Sequence, residues 1–287
     1  MLRAAAVSFG QLLRSGKLAF PAPKIPEDGR SNLRKLSAQP DNVRHVQTTL
    51  QRLHDQNTLS LAWMQKAAEY RALCYQAFNL ASLRLNQFTQ EPSTGKPKAI
   101  VVDVDETLID NTPYLTRLLG KDVPKSNENF EAWVKDENAK ALPGAVDFLN
   151  EVDGKGVHIL YVTNRFKDST AQTVNNLKKL GFPQIDDQHL YLSDGSSDKK
   201  SRRADVAEKY DVGMFLGDSL SDFDDRFFRK PLSERHAETD RARAEFGNRW
   251  IIFPNPSYGE WEGTIYRDAG AETPISELQS RWHLNRV

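Results

Sequence analysis

Short apolar runs alternate with helical patterns through most of the chain beyond residue 97. The apolar runs are KAIVVDV (98–104), VHILYVTN (157–164), VGMFLGD (212–218) and RWIIFPN (249–255). The helical patterns between them lie near 144–153, 168–180 and 199–209. We expect Asp168 or Ser169 to cap the second of these helices and Gly181 to end it. Since strands that alternate with helices form parallel sheets covered on both faces, the sequence predicts an α/β fold.

The rest of the chain divides around these strands. Residues 1–45 include a stretch rich in Pro, Ser, Asn and charge and predict a poorly ordered or targeting-like segment. Residues 46–92 have apolar side chains at helical spacing and predict an arm of one or two helices. Residues 93–287 hold the strands. Within them, the polar stretch 110–142 follows the first strand and predicts a small cap over the carboxyl ends of the sheet.

Composition restricts the partners that the chain can bind. The 287 residues include 39 basic and 39 acidic side chains, so the overall charge gives no argument for a nucleic-acid polymer as a partner. The single cysteine, Cys74, excludes an internal disulfide and is expected to be a small core residue. No apolar run reaches the roughly 18 residues of a membrane helix, so we expect no transmembrane segment.

The first twenty residues carry Arg3, Arg14 and Lys17, no acidic residue and a short apolar stretch. Gln11 interrupts that apolar stretch, which argues against a secretory signal. The segment is somewhat closer to an Arg-rich transit peptide. A disordered tail is the favoured interpretation of the three. These residues therefore leave the localisation open.

Polar side chains follow three of the predicted strands, and one lysine opens the helix before the third strand. They are Asp103, Asp105, Thr163, Lys199, Asp218 and Asp222. The carboxyl ends of parallel strands meet at one edge of the sheet, so these side chains are expected to form one site. Carboxylates buried there without partners would cost several kcal/mol, which predicts a bound cation or a reaction that uses them.

Together these residues predict a phosphoryl-transfer site. Asp103 and Asp218 would share Mg²⁺, which takes carboxylate oxygens and water as ligands. Asp103 would attack phosphorus and form an aspartyl-phosphate. Asp105 would protonate the leaving alcohol and then activate water, which requires that it hold a proton part of the time. A neighbouring carboxylate favours that proton and Mg²⁺ opposes it, so the sequence leaves the balance open.

The other polar residues would support this chemistry. Thr163 and Lys199 would hold the phosphoryl oxygens through a hydroxyl and an ammonium group. Asp222 lies one helical turn after Asp218 and would either orient the water shell of the metal or hold Lys199. The candidate catalytic residues are Asp103, Asp105, Thr163 and Lys199, and the candidate metal residues are Asp103, Asp105, Asp218 and Asp222.

The order of these motifs resembles that of the haloacid dehalogenase (HAD) superfamily, and more narrowly of its class C acid phosphatases, a group of 5′-nucleotidase and lipoprotein acid phosphatase-like proteins. VVDVDETLIDNTPY resembles the first motif of that class and FLGDSLSDF the second. Val104 and Ser219 depart mildly from the usual residues, and the similarity covers about residues 57–266. The resemblance implies a HAD-like, Rossmann-type sheet and Mg²⁺-dependent hydrolysis of small phosphomonoesters, often nucleoside monophosphates.

The resemblance also implies five substrate-binding residues, Asn111, Tyr114, Phe130, Asn164 and Tyr258. In some members a nucleobase lies between two aromatic rings, at positions that match Phe130 and Tyr258. Ordinary packing of the cap explains these two rings equally well. Lys199 matches the phosphate-binding lysine better than Lys200 does. Members are often periplasmic, outer-membrane-associated or secreted, but this sequence has neither a clear signal peptide nor a lipid-bearing cysteine. A homo-oligomer is left open.

Three other classes of protein share some of these features. GDSL at 217–220 also names a family of serine esterases, with Ser219 as the nucleophile and Asp186–His189 as its partners. The order of these blocks is reversed here, and the GxND motif is missing. A histidine phosphatase would need Arg-His-Gly, whereas His236 is followed by alanine. A non-catalytic storage or binding protein of the same fold would be expected to lack the nucleophile, and Asp103 is present.

Overall fold

The computed structural model of the chain describes residues 49–280, with the exception of residue 93. Five strands form one parallel sheet: β1 (Lys98–Val102), β4 (His158–Phe166), β5 (Leu190–Ser193), β6 (Asp211–Gly217) and β7 (Trp250–Ile252). Their order across the sheet is β5-β4-β1-β6-β7. The predicted α/β fold with a parallel sheet is therefore confirmed.

The described part of the chain forms helices before, between and after these strands. They are α1 (Thr49–Asp55), α2 (Thr58–Lys66), α3 (Ala68–Gln90), α4 (Thr112–Leu118), α5 (Asn127–Lys135), α6 (Ala145–Gly154), α7 (Thr170–Leu180), α8 (Lys200–Lys209), α9 (Leu232–Arg241), α10 (Glu260–Asp268) and α11 (Pro274–Ser280). Among these helices, none is both long enough and apolar enough to cross a membrane.

Helices cover both faces of the sheet, because β1 carries apolar side chains on both sides. Ile100 and Val102 belong to the same core cluster as side chains of α3 and α6. Ala99 and Val101 belong to a second cluster with Val206 of α8. Successive side chains of a strand point to opposite faces, so a strand that is buried on both faces needs an unbroken apolar run. β1 therefore lies at the centre of the fold, with its carboxyl end between those of β4 and β6.

The segment before the sheet forms three helices rather than the expected one or two. α2 and α3 are separated at Ala67, whose backbone is extended (ψ 130°). Leu61, Cys74 and Leu85 of these helices are at most 2% exposed and pack in the main core. The expected buried position of Cys74 is thus confirmed. The predicted N-terminal segment lies outside the described residues.

The stretch after β1 forms the expected small cap. β2 (Ile109–Asp110) pairs with β3 (Lys140–Ala141) in an antiparallel ribbon, with Ile109 opposite Ala141. α4 and α5 lie between these two strands in the chain. Since the ribbon brings the beginning and the end of the cap together, the insertion leaves the pairing of the main sheet undisturbed.

Two local features differ from the sequence-based expectations. β5 was not predicted, because this four-residue edge strand is only partly buried and has no long apolar run. Ser169 occupies the capping position of α7, but its side chain makes no capping hydrogen bond and instead donates to Glu131 of the cap. Gly181 ends α7 in the left-handed conformation (φ 88°), as predicted.

Leu85→Ala should lower the free energy of unfolding by about 3 kcal/mol, because truncation of a fully buried side chain leaves a cavity in the core. Leu83→Ala is the matched control on the same helix. Leu83 is 63% exposed, and its truncation should cost less than about 0.5 kcal/mol. Urea unfolding followed by circular dichroism measures both values. Equal losses in the two variants would contradict the packing of α3 described here.

Candidate active site

The carboxyl ends of β1 and β6 hold two of the predicted aspartates. The backbone N–H of Asp103 continues the pairing of these strands by donating to the carbonyl of Leu216 at 2.9 Å. Asp218 directly follows β6. Thr163 lies near the end of β4, the other neighbour of β1. The parallel register therefore brings the three strand ends together.

Lys199 forms a buried ion pair with two carboxylates. Its ammonium group donates to Oδ1 of Asp103 and to Oδ1 of Asp222, the latter at 2.7 Å. Burial alone would lower the pKa of Lys199, but the charges of Asp103 and Asp222 outweigh this effect and raise the pKa. Lys199 therefore stays positively charged. Lys200 is on the surface and pairs with Asp225 at 2.7 Å.

Three carboxylates could hold a metal ion. One oxygen from each of Asp103, Asp218 and Asp222 lies within 4.8 Å of the others. Burial raises the pKa of Asp103 to about 7, although Lys199 opposes the rise. Burial, together with the charges of Asp222 and Asp103, raises the pKa of Asp218 well above its usual range. A divalent cation would stabilise the charged form of these groups, so the donor set fits a hard metal ion.

Asp222 has both of its carboxylate oxygens engaged. Oδ1 accepts from Lys199, and Oδ2 accepts from the backbone N–H of Ser219 at 2.9 Å. Gly217 makes room for this arrangement, because a Cβ at that position would lie 2.5 Å from the Cβ of Asp222. Of the two roles predicted for Asp222, these contacts favour the one in which it holds Lys199.

The carboxylate of Asp105 pairs with Arg165 rather than with the three clustered aspartates. Nε and Nη2 of Arg165 donate to Oδ1 of Asp105 at 3.0 and 2.9 Å. Nδ2 of Asn111 donates to the same oxygen at 2.8 Å. The hydroxyl of Thr163 lies 3.5 Å from Oδ2. The structure thus separates Asp105 from the other three predicted metal residues.

Arg165 has no role in the sequence-based prediction, although its side chain is fully buried at the site. The spacing between Thr163 and Arg165 could have identified this arginine from the sequence. Arg165 lies two residues after Thr163 on β4, so the two side chains point to the same face of the sheet. A buried arginine there requires an acidic partner, and Asp105 is that partner.

Glu106 connects the first motif to distant parts of the chain. It is fully buried with left-handed backbone (φ 58°), and its carboxylate accepts from the backbone N–H of Asn111 at 2.7 Å and from the hydroxyl of Tyr258. The indole N–H of Trp133 donates to Oδ1 of Asn111 at 2.8 Å. Trp133 is therefore a second residue at the site that sequence reasoning missed.

A cavity of about 1110 Å³ opens at these residues. All five predicted substrate-binding residues line it: Asn111, Tyr114, Phe130, Asn164 and Tyr258. Tyr114 and Phe130 meet edge to face, with ring centroids 5.6 Å apart. The ammonium group of Lys125 lies 4.0 Å from the ring centroid of Tyr258. Asn164 is exposed, and its side-chain oxygen accepts from Arg202 at 2.8 Å.

Ser219 does not lie beside its proposed histidine partner. Its hydroxyl is 3.0 Å from that of Ser221, after the carboxyl end of β6. His189 stacks against His158, the first residue of β4, with ring centroids 5.3 Å apart. Because these strands are parallel, the histidine and the serine lie at opposite ends of the sheet. The arrangement lacks the nucleophile–base contact that a serine esterase needs.

A five-stranded parallel sheet with acidic strand ends and a cap after its first strand defines a HAD-type α/β protein. A family model described as HAD superfamily, subfamily IIIB (Acid phosphatase), matches residues 19–261. The chain belongs to this family. The resemblance recognised from the motifs is therefore confirmed.

Solved structures and curated relatives agree with this assignment. The class C acid phosphatase from Bacillus anthracis with tungstate bound is 34% identical, with a TM-score of 0.78 over 82% of this chain and 99% of that chain. Acid phosphatase 1 of Solanum lycopersicum is 32% identical over 132 residues, which are 42% of this chain and 50% of that protein. A stem 31 kDa glycoprotein of Glycine max is 28% identical over 165 residues, 55% of this chain and 58% of that protein. The chain thus spans about half the length of these curated relatives.

Proposed function

We propose that the chain is a Mg²⁺-dependent acid phosphatase that hydrolyses phosphomonoesters through an aspartyl-phosphate on Asp103. The observation that carries this proposal is the buried cluster in which Lys199 pairs with Asp103 and Asp222 beside Asp218. The cluster combines a nucleophile, a fixed positive charge and oxygen ligands for a cation. The tungstate bound to the Bacillus anthracis phosphatase adds support, since tungstate is a tetrahedral oxyanion like phosphate.

Two aspartates would divide the chemistry. In the first half-reaction an oxygen of Asp103 would bond to phosphorus while the bond to the alcohol breaks, and Asp105 would give its proton to the departing oxygen. In the second, Asp105 would take a proton from the water that attacks the aspartyl-phosphate, which releases phosphate and restores Asp103. The contacts of Asp105 with Arg165 and Asn111 support this role, because they hold the carboxylate in one orientation.

The remaining residues of the site would bind charge. Asp103 and Asp218 would hold the metal ion, and Lys199 and Thr163 would hold the phosphoryl oxygens. When bound, Mg²⁺ would supply positive charge that stabilises those oxygens in the transition state. The surroundings of Asp218 support the proposal of a bound cation, because Asp218 forms no ion pair within the described part of the chain. Its Oδ2 accepts a hydrogen bond from the neutral amide of Asn255 at 2.8 Å.

Nucleoside monophosphates are the substrate class that we infer. The cavity of about 1110 Å³ is much larger than a phosphate group, and its lining includes the rings of Phe130 and Tyr258. Stacking on such rings accepts any base, because every base has a π-face. Export or association with a membrane, and assembly into a homo-oligomer, stay predictions.

Asp103→Asn should lower the hydrolysis of p-nitrophenyl phosphate by at least about a thousandfold, because an amide cannot attack phosphorus. Ser219→Ala is the control and should keep nearly the wild-type rate. Circular dichroism should show that both variants are folded. Turnover by Asp103→Asn would exclude the aspartyl mechanism. A serine esterase would instead hydrolyse p-nitrophenyl acetate. EDTA would leave that activity unchanged, and Ser219→Ala would remove it.

Asp218→Asn should weaken Mg²⁺ binding by at least about tenfold, as measured by isothermal titration calorimetry, because the variant loses a charged oxygen ligand. Asp194→Asn is the matched control, since Asp194 is an exposed acidic residue that also lines the cavity. It should change the affinity by less than about twofold. EDTA should remove the phosphatase activity and added Mg²⁺ restore it. Equal affinities in the two variants would contradict a metal ion at Asp218.

Phe130→Leu should raise KM for nucleoside monophosphates about tenfold, because leucine keeps the apolar packing of the cap but has no π-face for a base. The KM for glycerol 2-phosphate, which carries no ring, should stay within about twofold of the wild-type value. Steady-state kinetics with both substrates measures the difference. Equal changes for the two substrates would support the alternative that Phe130 only packs the cap.

A further inference from the structure

The hydroxyl of Tyr258 has a partner inside the protein, although only the ring of this residue figures in the proposed function. The hydroxyl donates to Oε2 of Glu106, a residue that lies 152 positions earlier in the chain. Glu106 is fully buried and has φ 58°, a conformation that is uncommon for residues other than glycine. A buried carboxylate is costly without hydrogen-bond donors, so the Tyr258 hydroxyl helps to fix Glu106 in this position.

Glu106 in turn fixes the side chain of Asn111. Its Oε1 accepts the backbone N–H of Asn111 at 2.7 Å, and its Oε2 accepts Nδ2 at 3.3 Å. The same Nδ2 donates to Oδ1 of Asp105 at 2.8 Å. On the other side of the amide, Trp133 donates to Oδ1 of Asn111 at 2.8 Å. Since an indole N–H can only donate, these contacts determine which end of the amide faces Asp105.

We propose that Tyr258 is a positioning residue for proton transfer by Asp105, acting through its hydroxyl, Glu106 and Asn111. The inference rests on the proposed function, because it requires that Asp105 protonate the leaving oxygen. Tyr258 holds Glu106, Glu106 holds Asn111, and Asn111 holds the oxygen of Asp105 that Arg165 also contacts. Loss of the first contact leaves Asp105 paired with Arg165 but weakens the hold on Asn111, the other donor to Oδ1 of Asp105.

This role is distinct from stacking on the ring of Tyr258. The ammonium group of Lys125 lies 4.0 Å from the ring centroid, so a base stacked on that face would meet the lysine side chain. Tyr258→Phe keeps the ring and removes only the hydroxyl. If Tyr258 acts by stacking, this variant should change the activity little. If Tyr258 acts through its hydroxyl, the variant should lose the effect of Tyr258 on Asp105.

The test compares phenyl phosphate with p-nitrophenyl phosphate, two substrates that both carry a single six-membered aromatic ring. Phenolate is the more basic leaving group and depends on a proton from the enzyme, whereas nitrophenolate leaves readily without one. Tyr258→Phe should lower kcat/KM for phenyl phosphate at least about tenfold more than kcat/KM for p-nitrophenyl phosphate. Thermal unfolding should confirm that the variant is folded at the assay temperature.

Tyr266→Phe is the matched control. Tyr266 also donates to a glutamate, Glu262, at 2.7 Å, but it lies on α10 and does not line the cavity. The ratio of the two kcat/KM values should stay at the wild-type value in this variant. A change of the ratio in Tyr266→Phe as large as that in Tyr258→Phe would overturn the inference, because the effect would then not depend on Glu106.

Glu106→Gln tests the next contact, because the glutamine amide cannot accept at both of its polar atoms. The quantity to compare is the ratio of kcat/KM for phenyl phosphate to kcat/KM for p-nitrophenyl phosphate. If the hydroxyl of Tyr258 acts through Glu106, the double variant with Tyr258→Phe and Glu106→Gln should change this ratio no more than Glu106→Gln alone. Changes that multiply would overturn the proposed route.

Three further results with Tyr258→Phe would overturn the inference: an equal loss with both substrates, a change confined to KM, or no change. Asp103→Asn distinguishes this failure from failure of the proposed function. If Asp103→Asn is inactive and Tyr258→Phe is unchanged, only the positioning role is wrong. If Asp103→Asn is active, the proposed function itself is wrong.

Discussion

The ion pairs of Lys199 with Asp103 and Asp222 allow a cluster of carboxylates to be buried at the end of the sheet. Burial of an ionised carboxylate is costly unless it has a charged or hydrogen-bonding partner. Lys199 is the residue that precedes α8, while the two carboxylates follow β1 and β6. A single ammonium group therefore joins three elements that are far apart in the chain, and the acidic strand ends can come together only when those elements are in register.

A second positively charged side chain, Arg165, lies in the part of the site around Asp105. Arg165 pairs with Asp105, so this carboxylate does not depend on Lys199 or on the cluster of Asp103, Asp218 and Asp222. The cap contributes to this part of the site through Asn111, whose amide contacts Asp105 and Trp133. The sheet thus determines where the two acidic groups lie, and the cap determines how Asp105 is oriented. Movement of the cap would therefore affect Asp105 more directly than Asp103.

The sequence was a good guide where burial produces a simple pattern. β1 is buried on both faces and consequently appears as an unbroken apolar run, which identified the strand and the aspartates at its end. β5 lies at the edge of the sheet, is only partly buried and has no such run, so it could not be recognised. The contact of Glu106 with Tyr258 was also out of reach, because no local pattern relates two residues that are 152 positions apart.

The sequence likewise did not show which aspartate pairs with which positively charged side chain. Four aspartates and two buried cations at one edge allow several arrangements, and side-chain direction alone decides among them. Spacing along β4 could have identified Arg165 as a side chain facing the site, but not Asp105 as its partner. The sequence therefore identified the aspartates, Thr163 and Lys199 but not Arg165 or Trp133, and the separation of Asp105 from the cluster of Asp103, Asp218 and Asp222 required the structure.

The hydrogen bonds of the carboxylates support the proposal that Asp103, rather than Asp222 or Asp105, is the nucleophile. Both oxygens of Asp222 are engaged, by Lys199 at 2.7 Å and by a backbone N–H at 2.9 Å. Both oxygens of Asp105 accept from Arg165, at distances between 2.9 and 3.2 Å. Asp103 differs, since Lys199 holds Oδ1 while Oδ2 is only 3.4 Å from the hydroxyl of Thr107. A hydrogen bond of that length is weak, so Oδ2 of Asp103 would turn to phosphorus at a lower cost in lost contacts than an oxygen of Asp222 or Asp105. The same lysine that stabilises the buried Asp103 therefore also leaves the second oxygen of this carboxylate with only a weak partner.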